Sequence, residues 1–142
     1  MSRTEGPDAT LFDVIYKSVA NTTSDFHNGT FTTQVRHVFH AEKPSQKLSF
    51  LPFERRLHNK FLLWLGCRQT SLATTLREGP RLQAVEAPST SLRYGKGIYL
   101  TDCFSKAASQ CLGDLSSIQP GQPKQGVVFL VEVALGEMHQ AF

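Results

Sequence analysis

The chain has 142 residues, of which 40% are hydrophobic and 19% charged, and its formal net charge is +3 at pH 7. A chain of this length forms one domain that can bury a core, and a small net charge without a basic run argues against direct DNA binding. No apolar stretch has the length of a membrane span or the position of a secretory signal, so we predict an intracellular protein.

The cysteines and histidines do not predict a metal centre. There are three cysteines, an odd number, and none of them stands in a Cys-x-x-Cys spacing. This usage is typical of a reducing compartment and argues against a disulfide framework and a zinc site. His37 and His40 share a strand-like segment without a third ligand nearby, which favours a surface pair. We therefore predict no metal cofactor.

The first part of the chain predicts a helix, a turn and a strand. Residues 1–10 are expected to be a flexible lead. Apolar side chains then recur at helical spacing up to about residue 21. These side chains belong to Leu11, Ile15 and Val19. The pair Asn28-Gly29 predicts a tight turn. Residues 31–40 alternate apolar and polar side chains, which predicts a half-buried strand that Pro44 ends.

The middle of the chain predicts short helices around an apolar strand. Residues 51–58 are expected to form a short helix, and Phe61–Trp64 is expected to form a buried strand. Thr70 or Ser71 is expected to cap the next helix, because a hydroxyl oxygen there can accept hydrogen bonds from the first free N–H groups. Gly79, followed by proline, is expected to end that helix.

The last part predicts a helix and a long strand between loops. Residues 85–91 and 113–126 have the composition of loops. Between them, apolar residues recur at helical spacing after Asp102, a candidate N-cap. The recurring positions are Phe104, Ala107, Ala108 and Cys111. The apolar run Val127–Leu135 predicts a long strand. Because helices and strands do not alternate as βαβ units, the predicted fold class is α+β.

The most informative motif is the segment Arg93–Leu100. Gly95 and Gly97 bracket a lysine, and the apolar run Ile98–Leu100 follows. Glycines allow backbone angles and close approaches that a Cβ would forbid, as a ligand-binding backbone requires. Taken alone, the pair is explained more often by a bulge at the start of a strand. The motif therefore needs support from other segments.

Three other segments stand in a fixed order around this motif. They are Leu62–Arg68, Ser105–Ala108 and Glu132–Gly136. In order and spacing they resemble the catalytic domain of the DNA-dependent poly(ADP-ribose) polymerases, from about Leu11 to Met138. The resemblance implies a split two-sheet ADP-ribosyltransferase fold within the α+β class. It also implies that ADP-ribose is transferred from NAD+ to protein acceptors with release of nicotinamide, in the nucleus or, alternatively, the cytosol.

The resemblance further implies which residues contact NAD+. Gly66 matches the glycine that holds the nicotinamide carboxamide through its own N–H and C=O, and Tyr99 matches the triad tyrosine that stacks on the nicotinamide. Other implied donor-site positions are Cys67, Arg81, Gly97 and Lys106. Residues 86–91 resemble the family's loop over the donor site. A structural explanation also exists: Gly66 and Gly97 as turn glycines and Tyr99 as a core tyrosine.

The sequence departs from the family pattern at the donor site. Leu65 stands at the triad histidine, Ala107 at a serine that bonds the carboxamide, and Gln110 at a second stacking tyrosine. Cys67 replaces a serine or threonine, and its thiol is a weaker hydrogen-bond donor than their hydroxyl group. The sequence also ends at Phe142, before the strand expected to bring the catalytic glutamate, so the predicted domain is incomplete at its carboxyl end.

These departures predict that NAD+ turnover is impaired. Each lost hydrogen bond weakens binding by about 0.5–1.5 kcal/mol, and a lost aromatic stacking face adds roughly 1 kcal/mol. Two alternatives to a transferase stay open. The chain could be a non-catalytic interaction module of the same family, which no longer turns over NAD+. It could also be the product of a gene fragment that folds poorly.

Overall fold

The computed structural model of the chain describes residues 7–24, 32–81, 95–112 and 125–140, with the backbone alone at 7–9 and 112. Its helices are α1 (Pro7–Asn21), α2 (Pro44–Arg56), α3 (Gln69–Glu78) and α4 (Phe104–Leu112), and its strands are β1 (Lys60–Cys67) and β2 (Val127–Ala134). The predicted α+β class is confirmed. The predicted strand Val127–Leu135 matches β2 to within one residue.

The two strands form an antiparallel sheet. The register runs from Lys60 opposite Ala134 to Cys67 opposite Val127. Just before β1, the N–H of Leu135 donates to the carbonyl of Asn59 at 2.8 Å. Because backbone groups alternate in direction along a strand, the odd-numbered residues of β1 direct their N–H and C=O toward β2. The even-numbered residues direct theirs toward the opposite edge.

The core lies between the sheet and α4. Trp64 and Phe104 are buried, and their rings meet edge to face at 5.1 Å and 75°. Val19, Ala107 and Ala108 complete the buried cluster. The indole N–H of Trp64 donates to Thr22 Oγ1 at 3.2 Å, which satisfies the polar atom of this buried side chain. The core therefore joins α1, β1 and α4 around one tryptophan.

The predicted strand over residues 31–40 is wrong for the residues that the structure describes. Residues 32–40 have no strand assignment. Val35 packs against the core, but the side chain of Phe39 is 83% exposed. An alternating pattern needs a paired neighbour before it becomes a strand, and β1 and β2 pair only with each other and with Thr101 in the described part of the chain.

Several predicted helix ends are also corrected. α1 begins at Pro7, earlier than expected from Leu11, and α2 extends from Pro44 to Arg56 although residues 51–58 were expected. A proline at the first helical position loses no intrahelical hydrogen bond, so Pro44 begins this helix and does not merely end the preceding segment. Residues 1–6, the Asn28-Gly29 turn, and the loops 85–91 and 113–124 lie outside the described residues.

Two predicted N-caps are replaced by neighbouring residues. Arg68 caps α3, with extended backbone angles and no side-chain hydrogen bond, so neither Thr70 nor Ser71 has this role. The carbonyl of Cys103 accepts the N–H of Ala107, which gives Cys103 the cap position of α4 that was predicted for Asp102. Gly79 ends α3 as predicted, with φ of 84°. None of the described helices has the length and apolarity to cross a membrane.

Candidate functional site

The candidate site lies on the edge of β1 that faces away from β2. Trp64 exchanges two backbone hydrogen bonds with Thr101, N–H to carbonyl at 2.7 Å and carbonyl to N–H at 3.0 Å. This is an isolated antiparallel bridge. Gly66 is two residues further along the strand, so its N–H and C=O face the same edge as those of Trp64.

Tyr99 approaches the same edge. If the antiparallel bridge continued beyond Trp64 and Thr101, Tyr99 would stand opposite Gly66. The pairing is confined to the bridge, and residues 98–100 have no strand assignment. We call the space between the backbone edge of Gly66 and the segment that carries Tyr99 the Gly66–Tyr99 slot. A planar primary carboxamide has one N–H syn to its C=O, so both groups lie on one side and can pair with the N–H and C=O of one strand residue.

The Tyr99 hydroxyl is held by the glycine motif. It donates a hydrogen bond to the carbonyl of Gly95 at 2.7 Å. Gly95 has φ of 87°, in the left-handed region that glycine adopts without strain. Tyr99 is half-buried, and the hydroxyl contact fixes one end of its ring. The motif therefore has a structural function, which is to position Tyr99 relative to β1.

Gly66 is required by the packing of α4. A Cβ on Gly66 would lie 2.3 Å from the carbonyl oxygen of Ala107 and 2.8 Å from Cβ of Gln110. Real Cβ atoms do not tolerate such distances, and the Ala107 oxygen belongs to helix backbone. Gly66 lies within β1. It is therefore a close-packing glycine of a strand, and the explanation as a turn glycine is wrong.

The structure brings some of the predicted site residues together. Gly66, Ala107 and Gln110 are in direct contact, and Ala107 is fully buried. Leu65 is half-buried and pairs in register with Phe129.

Other predicted site residues lie apart from this group. Lys106 is exposed on α4, and a Cβ at Gly97 would meet no atom of the described residues within 4 Å. Arg81 makes an exposed ion pair with Glu78 at 2.6 Å. Residues 86–91 lie outside the described residues.

One functional feature was missed in the sequence. Thr101 bridges Trp64 on the edge of β1 that faces away from β2, and sequence reasoning assigned it no role. Its position two residues after Tyr99 was the available signal, since both residues must then direct their backbone groups to the same side of an extended segment.

The thiol of Cys111 closes the end of the sheet beside Gly66. It accepts the N–H of Cys67 at 3.2 Å and lies 3.1 Å from the Val127 carbonyl, to which it can donate. Cys67 and Val127 form the last pair of the register. The thiol therefore lies between the two strands where the ladder ends. Burial raises the pKa of Cys111, so this cysteine stays protonated and keeps its donor.

The surroundings of Cys103 lower the pKa of its thiol, in contrast to those of Cys111. Burial raises the pKa of its thiol, but hydrogen bonds from the Ser105 hydroxyl and from the backbone N–H groups of Lys106, Ser24 and Ser105 outweigh burial and lower the pKa overall. The Sγ–Oγ distance to Ser105 is 3.2 Å. N–H groups at the start of a helix stabilise negative charge on a cap residue. Cys103 is therefore the more acidic of these two thiols.

Cys103 is expected to react with iodoacetamide at least roughly tenfold faster than Cys111 just below the ordinary cysteine pKa. The thiolate is the nucleophile, and the lowered pKa of Cys103 shifts its rise in labelling rate to lower pH, whereas the raised pKa of Cys111 shifts it to higher pH. Peptide mass spectrometry after timed labelling measures both rates. Ser105→Ala should slow the labelling of Cys103, and unfolding in urea should equalise the two sites. Equal rates in the folded chain would contradict the assignment.

Comparison of the sequence with known proteins identifies a family. Residues 10–142 match the family model for the poly(ADP-ribose) polymerase catalytic domain. The chain is 39% identical over 127 residues to Poly [ADP-ribose] polymerase 1 of Xenopus laevis, covering 89% of this chain and 12% of that protein. It is 34% identical over 135 residues to Poly [ADP-ribose] polymerase 2 of Arabidopsis thaliana, covering 95% of this chain and 20% of that protein. The chain thus spans a fifth or less of the length of these relatives.

Proposed function

Because the chain belongs to the poly(ADP-ribose) polymerase catalytic-domain family, we propose that it binds NAD+ with the nicotinamide carboxamide in the Gly66–Tyr99 slot. The proposed reaction class is transfer of ADP-ribose from NAD+ to protein acceptors, with transfer impaired in this chain. A nuclear location and protein acceptors are part of the same proposal. Leu65, Ala107 and Gln110 are the residues proposed to weaken the donor site.

The observation that carries the proposal is the direction of the Gly66 backbone groups. They face the edge of β1 that is opposite β2, next to the Trp64–Thr101 bridge. A carboxamide that pairs with both groups continues the ladder by one step, with the ligand in place of a strand. The N–H and C=O are held by the strand before the ligand arrives, so binding costs little backbone entropy. The ring of Tyr99 would then lie beside the nicotinamide.

The impairment is argued from three side chains. Leu65 has no hydrogen-bonding group, and Gln110 has no aromatic face. The side chain of Ala107 is fully buried among core residues, where it offers a ligand neither a donor nor an acceptor. Together, two lost hydrogen bonds and one lost stacking face amount to roughly 2–4 kcal/mol, if they add. At 1.4 kcal/mol per decade, NAD+ affinity is expected to be about thirty- to several-hundred-fold below that of an intact donor site.

Calorimetric titration with NAD+ tests the proposal, with Leu65→His as the informative variant. An imidazole at this position regains one hydrogen bond to the ligand, so we expect NAD+ binding about two- to tenfold tighter than in the parent chain. Leu62→His is the matched control, because Leu62 lies on the same strand with its side chain 62% exposed. Circular dichroism establishes that each variant is folded.

The three titrations distinguish a chain that binds NAD+ at the proposed site from one that does not bind NAD+. Measurable NAD+ binding that tightens in Leu65→His and not in Leu62→His supports the proposed site. Folded chains that give no heat in all three titrations contradict it. That result would favour the second candidate, a non-catalytic interaction module of the family. The complete burial of Ala107 is the observation that favours this candidate, because the residue at this proposed donor-site position lies in the core.

A further inference from the structure

The end of α2 carries an apolar groove, which we call the α2 groove. The described residues that line it are Pro52, Phe53, Arg56 and Leu57, and it holds about 370 Å³. That volume is within the range of pockets that bind a ligand. All four residues belong to the end of one helix and its C-cap, so they form a floor without an opposite wall. Such a groove suits a side chain that protrudes from another protein.

The apolar side chains of α2 lack a packing partner among the described residues. None of the 13 residues of this helix is buried, and Leu48 and Phe53 are 68% and 56% exposed. A helix of this length is marginal on its own and gains most of its stability by packing an apolar face. Exposed apolar groups with a polar rim often mark an interaction site. The α2 groove is therefore part of a surface that another molecule can complete.

The rim of the α2 groove is basic. Residues 42–60 contain five Lys or Arg and two Glu, a net charge of +3, which equals the formal net charge of the whole chain. Glu42 pairs with Lys47, whereas Arg55 and Arg56 have no acidic partner among the described residues. Arginine pairs with carboxylates through two parallel hydrogen bonds. A ligand for this surface therefore needs acidic groups next to an apolar one.

We propose that the α2 groove binds a partner protein through a short acidic segment that carries one aromatic anchor. The anchor packs on Pro52 and Phe53, and the carboxylates beside it pair with Arg55 and Arg56. A symmetric dimer of this chain is disfavoured, because the same positive surface would meet itself. A nucleic acid is also disfavoured, since contacts to a phosphate backbone would leave the apolar lining uncovered.

The α2 groove is separate from the Gly66–Tyr99 slot. Leu57, the C-cap of α2, places its Cδ2 3.3 Å from the Cβ position of Gly136, and β1 begins shortly afterwards at Lys60. Gly66 is six residues further along β1, which is about 20 Å at 3.3 Å per residue. The proposal therefore does not depend on NAD+ binding.

The test is fluorescence anisotropy with a labelled peptide that has one phenylalanine between two runs of glutamate. Two control peptides replace every glutamate by glutamine or the phenylalanine by alanine. Phe53→Ala and Arg56→Ala alter the groove. Their matched controls are Phe39→Ala and Arg36→Ala, since both residues are exposed and lie outside α2. All four substitutions are at exposed positions, so we expect circular dichroism to show folded chains.

We expect Phe53→Ala and Arg56→Ala each to weaken binding of the glutamate peptide at least about fivefold, with less than about a twofold change in Phe39→Ala and Arg36→Ala. Both control peptides should bind the parent chain more weakly than the glutamate peptide.

Four results would overturn the proposal. The first is a parent chain that does not bind the glutamate peptide. The second is a loss in the matched controls as large as in the groove variants. The third is equally tight binding of either control peptide. The fourth is binding to vesicles of phosphatidylcholine and phosphatidylserine but not to the peptide, which would identify the α2 groove as a membrane-binding surface.

Discussion

Gly66→Ala is expected to lower the free energy of unfolding by about 1–3 kcal/mol, at the upper end of that range. The added Cβ would stand 2.3 Å from the Ala107 carbonyl oxygen, a helix backbone atom. That oxygen cannot rotate away, so α4 must shift relative to β1. The helix carries Phe104 and Ala107 into the core, and a shift therefore also loosens the packing around Trp64.

Gly97→Ala is the matched control for this change. Within the described part of the chain, a Cβ at Gly97 meets nothing within 4 Å, and Gly97 is not among the positive-φ glycines. Its substitution is expected to change stability by less than about 0.5 kcal/mol, as at an ordinary surface position. Urea unfolding followed by tryptophan fluorescence measures both variants, because Trp64 is the only tryptophan in the sequence. Equal midpoints for the two variants would show that α4 does not pack on Gly66 as described.

The same substitution also tests the site. A shift of α4 moves Gln110 and the backbone edge of Gly66 relative to each other, so nicotinamide binding in Gly66→Ala should fall even at temperatures where the chain is fully folded. Gly97→Ala lies in the motif that positions Tyr99 but leaves the β1 edge unchanged. Loss of binding only in Gly66→Ala would locate the ligand on the strand and not on the glycine motif.

The sheet and the helices that pack on it could be predicted from the sequence for a clear physical reason. Phe61–Trp64 and Val127–Leu135 are short apolar runs, which favour strands, and both runs form strands; the expected burial of Phe61–Trp64 is wrong at Phe61 and Leu62, which are exposed. Phe104, Ala107 and Ala108 recur with helical spacing, and all three are buried in the structure. In this helix the local pattern and the core agree, so no other element had to be known in advance.

The segment 31–40 shows where such reasoning ends. Its alternation specifies two faces but not a neighbouring strand, and pairing is decided by residues far away in the sequence. The described residues 32–40 run without a partner strand, and Phe39 remains exposed. The sequence pattern was the same as that of a strand. Among the described residues, this segment has no neighbouring strand to pair with, and a local sequence pattern does not predict that.

The sequence motifs name candidate site residues, but they do not predict the geometry that relates these residues. Gly66 and Tyr99 follow from their motifs, but their relation depends on one bridge between Trp64 and Thr101. Whether Gly66 directs its N–H and C=O to β2 or to the opposite edge depends on the register of β1 and β2, and a shift of one residue reverses it. The position of Gln110 over Gly66 likewise depends on how closely α4 approaches the strand.

Trp64→Ala is expected to be the most destabilising single substitution in this chain, at about 3–5 kcal/mol. The side chain is 4% exposed, it meets Phe104 edge to face, and its N–H reaches Thr22 across the core. Its removal leaves a cavity between α1, β1 and α4. The loss is a large part of the roughly 5–15 kcal/mol that holds a typical domain folded.

Leu62→Ala is the control for Trp64→Ala, because Leu62 lies two residues earlier on the same strand and the same face but is 62% exposed. Its truncation removes little buried area, so we expect a change below about 1 kcal/mol. Far-ultraviolet circular dichroism during thermal unfolding serves both variants, since Trp64→Ala has no tryptophan to report. If both variants lose the same stability, the core is not organised around Trp64. A large difference would place the stability of β1 on the part of this face that α4 covers, where Gly66 also packs.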